Sequence, residues 1–343
     1  MAVRLLFLPL VLLASVAVAQ VAPDGPDAGF GFWLANFRRD AVAKGLPADA
    51  VDATTAGLRY DPHVVALDRA QPDDSAWKPS VFATYLDRHL DAAKVARGRS
   101  VAASLAPELA SISARTGVPA AIILGIWGME SDFGNGSIGS FDVPRSLASL
   151  AYDGRRAALF TRELEAAVRI VAEHRATRAQ LKGSWAGAMG QSQFLPSAFL
   201  ANATDGDGDG RADIWTSRAD VAASIATYLR HAGWVRGQGW GMRVRVPPGL
   251  DRDGIRNPVE PTSCVRPMRK HSRWLTIGDW RALGLTPDGA ATWPADTTRA
   301  TLIEPDGVGT PAYLTFDNYR ALLDYNCSNF YALSVALLGD ALE

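Results

Sequence analysis

Apolar positions repeat with helical spacing over most of this chain and with strand spacing over one late stretch. In "FGFWLANFRRDAVAKG", Phe30, Trp33, Leu34, Phe37 and Ala41 recur at intervals of three and four and share a helix face. "PADAVDATTAGL" reads as a second, shorter helix opened by Pro47. A linker-like stretch, "DRAQPDDSAWKPS", precedes "VFATYLDRHLDAAKVARGRSVAASLAPELASISARTG", which is rich in Ala and Leu and again helical. The first third is therefore expected to be all-α. From about Val118 to Trp240 the pattern stays helical, with glycine-rich interruptions. From about Arg243 the period changes. "MRVRVPPGL" alternates like a strand, and "ATLIEPDGVGTPAYLTF" reads as two short strands around a turn. Helical spacing returns in "FDNYRALLDYNCSNFYALSVALLGDAL". The expected fold class is α+β, predominantly α. We expect an N-terminal helical domain over 20–110, a core from 111–242 plus 317–343, and a small β-rich domain over 243–316.

One helix carries a candidate for chemistry. On "PAAIILGIWGMES", Ile123, Ile126, Trp127 and Glu130 are spaced i, i+3, i+4, i+7, and Pro119 suits the first turn. That apolar face should point inward, leaving Glu130 at its buried edge, and Gly134 is a natural stop just beyond. Desolvation disfavours an ionised carboxyl group, and a raised pKa is what a general acid near neutrality requires. Pairing with an arginine for stability is the other reading, and the stretch alone leaves both open. Asp132, two residues on, is turned by roughly 200° and should point away. Asp142 and Asp153 carry no signature.

Composition narrows the classes. At 343 residues the chain can bury a large core in more than one domain, and a net charge of −1 offers no basic field for nucleic acid. "MAVRLLFLPLVLLASVAVAQ" has Arg4, an apolar run and the small-residue motif Ala17-Val18-Ala19, so residues 1–19 read as a signal peptide. A membrane anchor is the alternative, for which the run is short. No cysteine follows the motif, so a soluble, exported, periplasmic protein without a lipid anchor is expected. Cys264 and Cys327 either bond after export or stay as two thiols. The five histidines are scattered, with no His-Glu-x-x-His, which argues against a catalytic zinc.

"GMESDFG" followed by "SWAGAMGQSQFLPSAF" resembles the membrane-bound lytic transglycosylase B family, lysozyme-like enzymes that cleave peptidoglycan. The resemblance runs from "FWLANFRRDA" to "YNCSNFYALSV". It implies a lysozyme-like core and assigns Glu130 as a single catalytic acid/base. Ser184, Gln193 and Phe194 match positions lining the sugar cleft. Arg155 and Arg156 match a paired-arginine position suited to muropeptide carboxylates, or they are two solvated helix charges. Tyr228 matches a cleft tyrosine, although it shares a face with Val221 and Ile225 and so also reads as core. Tyr325 and Tyr331 match aromatic cleft positions, Asn326 a polar one, and Tyr85 an upstream subsite tyrosine.

Most glycosidases use two carboxyl groups. The family's reaction removes the need for the second. The acid protonates the MurNAc-GlcNAc β-1,4 oxygen, and its conjugate base then deprotonates the muramyl C6 hydroxyl, which closes a 1,6-anhydro ring. The resemblance thus implies glycan strands as substrate; no organic cofactor and a monomer are expected, and complexes with other cell-wall enzymes are left open. A hydrolytic muramidase and a noncatalytic peptidoglycan-binding protein are the rivals.

"DGDGDGRADIW" is a second signal. Asp205, Asp207 and Asp209 occupy positions 1, 3 and 5 of an EF-hand-type loop, Gly210 position 6, and Arg211 would offer its carbonyl at position 7. Thr216 stands where the closing Glu belongs, and Asp220 could supply that carboxylate instead. The reading is a structural Ca²⁺ (calcium) site. A solvated acidic turn is the alternative.

Overall fold

The computed structural model describes residues 26–71, 81–289 and 291–343. The signal-peptide reading and most of the "DRAQPDDSAWKPS" linker lie outside the described residues. The first helix, Pro26–Ala43, buries Phe30, Leu34, Phe37 and Ala41, as its spacing predicts. Ala48–Thr55 follows with Pro47 at its cap position. Periodicity did not single out the next helix, Pro62–Arg69, whose first turn is closed by the Asp61 carboxylate accepting the N–H of His63 at 3.1 Å.

The Ala/Leu-rich stretch forms three helices: Phe82–His89, Ala92–Ser104 and Ala106–Thr116. The first break falls at Asp91, whose carboxylate caps the second helix through the Lys94 N–H at 2.7 Å. The second falls at Leu105, two residues before Pro107, where a proline fits a first turn and not an interior.

The helix bearing Glu130, Ala120–Ser131, is central. Every residue from Ala121 to Gly128 is buried, so it has no polar face at all. It packs on the C-terminal helix Asn329–Leu342 at a glycine contact. A Cβ on Gly125 would lie 2.4 Å from the Val335 carbonyl oxygen, so only glycine allows the approach. The helix stops earlier than Gly134. Asp132 turns left-handed at φ 50° and returns its N–H to the Trp127 and Gly128 carbonyls. A short acidic side chain tolerates that conformation better than most.

The core is completed by Val143–Asp153, Ala157–Ala172, Pro196–Asn202, Arg218–His231 and Asn318–Tyr325. A ribbon of Phe141–Asp142 with Lys182–Gly183 ties two loops together. Among the described residues, a five-stranded antiparallel sheet runs in the spatial order Leu275–Thr276, Arg299–Ile303, Ala312–Thr315, Gly241–Arg245, Thr286–Pro287. Met242 and Val244 are buried while Arg243 and Arg245 are exposed, the alternation of a strand with one wet face. Behind the sheet, Met242, Val244, Ile277, Trp280, Leu302 and Leu314 form a hydrophobic cluster separate from the helical one. Among the described residues no single helix is long and apolar enough to cross a membrane.

Candidate active site

Glu130 is the penultimate residue of the central helix and only partly buried, so it stands at the point where the dry core opens. Its Oε1 accepts a 2.5 Å hydrogen bond from the Tyr331 hydroxyl. Burial raises the Glu130 pKa to about 7, and the bond from Tyr331 opposes that rise. No charged neighbour shares in the shift, and no lysine or arginine among the described residues pairs with it. The arginine-pair reading is therefore set aside.

Tyr331 lies in the first turn of the C-terminal helix, which Ser328 caps by accepting the Tyr331 N–H at 3.3 Å. Burial and the Glu130 charge push its phenol well above the ordinary range, so it stays a donor. The Tyr325 hydroxyl donates to the Ser192 carbonyl at 2.7 Å, and its ring sits 4.7 Å from that of Tyr228. Tyr228 in turn donates to Asp324, to the backbone oxygen at 3.0 Å and to Oδ2 at 3.1 Å. It is half-buried: one side packs on the core and the hydroxyl reaches the exposed Asp324. The core reading of Tyr228 thus holds in part.

Phe194 differs from expectation. It is 2% exposed and sits behind Tyr228 and Tyr325, with ring centroids 5.7 and 5.9 Å away, so it backs the wall and does not present a face. Ser184 closes a tight turn, donating its N–H to the Ala188 carbonyl at 2.7 Å and accepting the Ala188 N–H on Oγ at 3.0 Å. Gln193 is left-handed at φ 52° and its amide donates to the Gly190 and Ile138 carbonyls at 2.8 and 3.2 Å. Tyr85 stacks on His89 at 4.1 Å and lies 5.7 Å from Phe330. Burial raises its phenol pKa and the Glu130 charge adds to the effect, which places the two within electrostatic reach. Asn326 is exposed beside Tyr325.

Cys327, the next residue, is bonded to Cys264 with Cα atoms 5.4 Å apart, which resolves the two thiols into a disulfide. A neighbouring brace runs parallel to it: Asn329 donates to the Pro267 carbonyl at 2.8 Å and meets His271 Nε2 at 3.0 Å. Together they tether the turn between Tyr325 and Tyr331.

Gln191 is a residue the sequence reading missed. It is buried, accepts the Trp127 indole N–H at 3.0 Å and donates to the Trp215 carbonyl at 2.8 Å. It thereby joins the Glu130 helix to the acidic loop. A Cβ on Gly134 would lie 2.3 Å from Gln191 Oε1, so Gly134 serves this contact and not the helix stop. The signal was a second glutamine, two residues before Gln193, in a glycine-rich run.

The arginine pair has a partner within the protein. Arg155 Nε donates to Asp68 Oδ2 at 2.6 Å, and Arg156 donates to Asp68 Oδ1. Asp68 is 1% exposed, so the pair compensates a buried carboxylate; both arginines are exposed, as the solvated-charge reading expects, but they lie in a turn and have a partner within the protein. The other candidate carboxylates are also taken. Asp132 pairs with Arg97 at 3.0 Å, Asp142 with Arg178 at 2.7 Å, and Asp153 with Arg69.

In the acidic loop one carboxylate oxygen from each of Asp205, Asp207 and Asp209 lies within 4.8 Å of the others. Asp205 accepts the N–H of Gly208 at 2.6 Å and of Gly210 at 2.8 Å, bonds that lower its pKa and keep it ionised. Gly210, at φ 88°, makes the sharp turn that the sixth position requires. Arg211 donates its N–H to Asp209 at 2.8 Å. Three converging carboxylates on such a turn fit a hard cation with oxygen ligands. Asp220 stands outside that group, a correction to the expected ligand set. It is 1% exposed and accepts the N–H of Gly206 and of Asp213, each at 2.7 Å, so it braces the loop from within.

The sequence model of the Transglycosylase SLT domain family matches residues 29–340. The chain is 33% identical over 228 residues to membrane-bound lytic murein transglycosylase B of Escherichia coli K12, covering 66% of this chain and 57% of that relative, little more than half its length. Among solved structures it resembles SltB3 from Pseudomonas aeruginosa in complex with NAG-anhNAM-pentapeptide, with a TM-score of 0.81 and 38% identity over 91% of this chain and 79% of that one. It also resembles the Escherichia coli lytic transglycosylase Slt35 in complex with calcium, with a TM-score of 0.72 and 27% identity over 90% of this chain and 92% of that one.

Proposed function

Since the chain belongs to the Transglycosylase SLT domain family, we propose that it is a lytic transglycosylase cutting the MurNAc-GlcNAc β-1,4 bond of peptidoglycan and leaving 1,6-anhydro-MurNAc ends. The observation that carries this reading is Glu130: a solitary carboxyl group with its pKa near 7, held by one neutral donor, with every other candidate carboxylate ion-paired. A group at that pKa is protonated often enough to act as an acid and, once ionised, is basic enough to take a proton back.

Protonated Glu130 donates to the glycosidic oxygen, and the bond to C1 breaks as the GlcNAc hydroxyl leaves. The substrate's own N-acetyl oxygen meets the positive charge at C1. Glu130, now a carboxylate steadied by Tyr331, removes the proton of the muramyl C6 hydroxyl. O6 attacks C1 and closes the anhydro ring, and Glu130 ends protonated as it began. Attack within one sugar gains from proximity. The name of the Escherichia coli relative and the anhydro ligand of the SltB3 complex support this route over hydrolysis. Tyr85, Ser184, Gln193, Tyr228, Tyr325, Asn326 and Tyr331 are the proposed glycan contacts.

Asp205, Asp207 and Asp209, with the Arg211 carbonyl, are the proposed calcium ligands, and the Slt35 calcium complex supports them. When bound, the ion supplies charge neutralisation that fixes the loop. The Ala17-Val18-Ala19 motif supports export to the periplasm. The test is Glu130→Gln: the variant should bind glycan strands and fail to release soluble fragments. Undiminished release would overturn the proposal.

A further inference from the structure

One carboxylate of the small sheet's hairpin meets the start of the Phe82–His89 helix. Asp306 lies in the turn between strands Arg299–Ile303 and Ala312–Thr315, and its carboxylate accepts the N–H of Phe82 and, at 3.0 Å, the N–H of Ala83. These two residues open the helix Phe82–His89, and Val81 before them supplies no side-chain cap. The first amides of a helix need acceptors, and an anion there also meets the positive end of the dipole. A helix of 8 residues does not sustain itself in water. Its one buried side chain, Phe82, packs on Phe330 at 5.3 Å and on Tyr313 of the sheet at 6.4 Å.

The turn that presents Asp306 is itself stiff. Gly307 takes a φ of 98° and donates its N–H to the Glu304 carbonyl at 3.1 Å. Arg252 grips the Glu304 carboxylate with two bonds of 2.8 and 2.9 Å. One helical turn beyond the capped residues stands Tyr85, which leans on Phe330, the neighbour of Tyr331.

We propose that Asp306 is a positioning residue for the cleft: the hairpin of the small sheet caps the Phe82–His89 helix and thereby fixes where Tyr85 meets the glycan. This rests on the proposed role of Tyr85 as a glycan contact. It gives the sheet a task in substrate binding.

The experiment compares the full chain with Asp306→Ala, Asp306→Asn, Tyr85→Ala and the Asp306→Ala/Tyr85→Ala double variant, reading KM and kcat on peptidoglycan and the pH profile of kcat/KM. Asp306→Ala should raise KM about fivefold, the equilibrium weight of one lost cap, while kcat and the pH profile stay as in the wild type. Asp306→Asn still accepts an N–H and should recover most of the loss, and it carries the test if the alanine variant fails to fold. The double variant should bind no worse than Tyr85→Ala alone. If Tyr85→Ala leaves KM unchanged, the cleft role of Tyr85 fails and takes the inference with it. If Tyr85→Ala raises KM but Asp306→Ala does not, or if the two losses multiply, only the role of Asp306 is overturned.

Discussion

Replacing Tyr331 by Phe should move the ionisation of Glu130 upward. The wild-type value of about 7 is a balance between burial, which raises it, and the 2.5 Å bond from the Tyr331 hydroxyl, which lowers it. Phenylalanine keeps the ring and deletes only the donor. A hydrogen bond to a charged acceptor contributes about 1.5–3 kcal/mol, and about 1.4 kcal/mol corresponds to one pH unit. Water entering from the cleft will replace part of that, so a rise of about one pH unit is expected. The assay is kcat/KM against pH on purified peptidoglycan. Its alkaline limb reports loss of the protonated acid in the free enzyme. Wild type should fall with a midpoint near 7, and Tyr331→Phe near 8, although its rate is lower at every pH. An unmoved limb, or one moved to lower pH, would refute the hydrogen-bond argument.

Three further outcomes follow from the same geometry. Folded Glu130 titrates at about 7 against an ordinary value of 4.5, so the native state holds a proton that the unfolded state has lost between those pH values, and stability declines as pH rises through that window. Glu130→Gln should therefore match wild type near pH 4.5 and exceed it by up to about 3 kcal/mol above pH 7 in urea unfolding; a gap that shrinks with pH contradicts the sign. Calcium should raise the melting temperature of the wild type and not of Asp207→Asn, and an equal response in both would remove Asp207 from the ligand set. Replacing Cys264 and Cys327 by Ser opens a 63-residue separation and should cost about 4 kcal/mol in denaturant unfolding, and a loss below about 1 kcal/mol would deny the bond a structural role.

Local patterns carried much of the fold and less of the site. The spacing of Phe30, Leu34, Phe37 and Ala41 was readable because one face is wet and the other dry. The Glu130 helix was readable for its length and apolar run. Its stop was misplaced, because Asp132 takes the left-handed cap that a glycine usually supplies. Helix geometry predicts an Asp132 that points away from Glu130; in the structure Asp132 leaves the helix at its left-handed cap, and its carboxylate pairs with Arg97. What stayed hidden are pairings between distant segments. Asp68 and Arg155 are 87 residues apart, and nothing near either names the other. Asp306 and Phe82 are 224 apart. The Glu130–Tyr331 bond spans 201, and only the family resemblance pointed at Tyr331. Asp220 looked like a ligand because it is acidic and late in the loop, whereas burial turned it to the backbone amides inside.

The central claim is that one carboxyl group suffices because the substrate supplies the nucleophile. Mass spectrometry of the fragments released from purified peptidoglycan tests it most directly. The account predicts muropeptides ending in 1,6-anhydro-MurNAc, lighter by one water than hydrolysis products, and their loss in Glu130→Gln. Reducing-end products from the wild type, with no anhydro species, would contradict it.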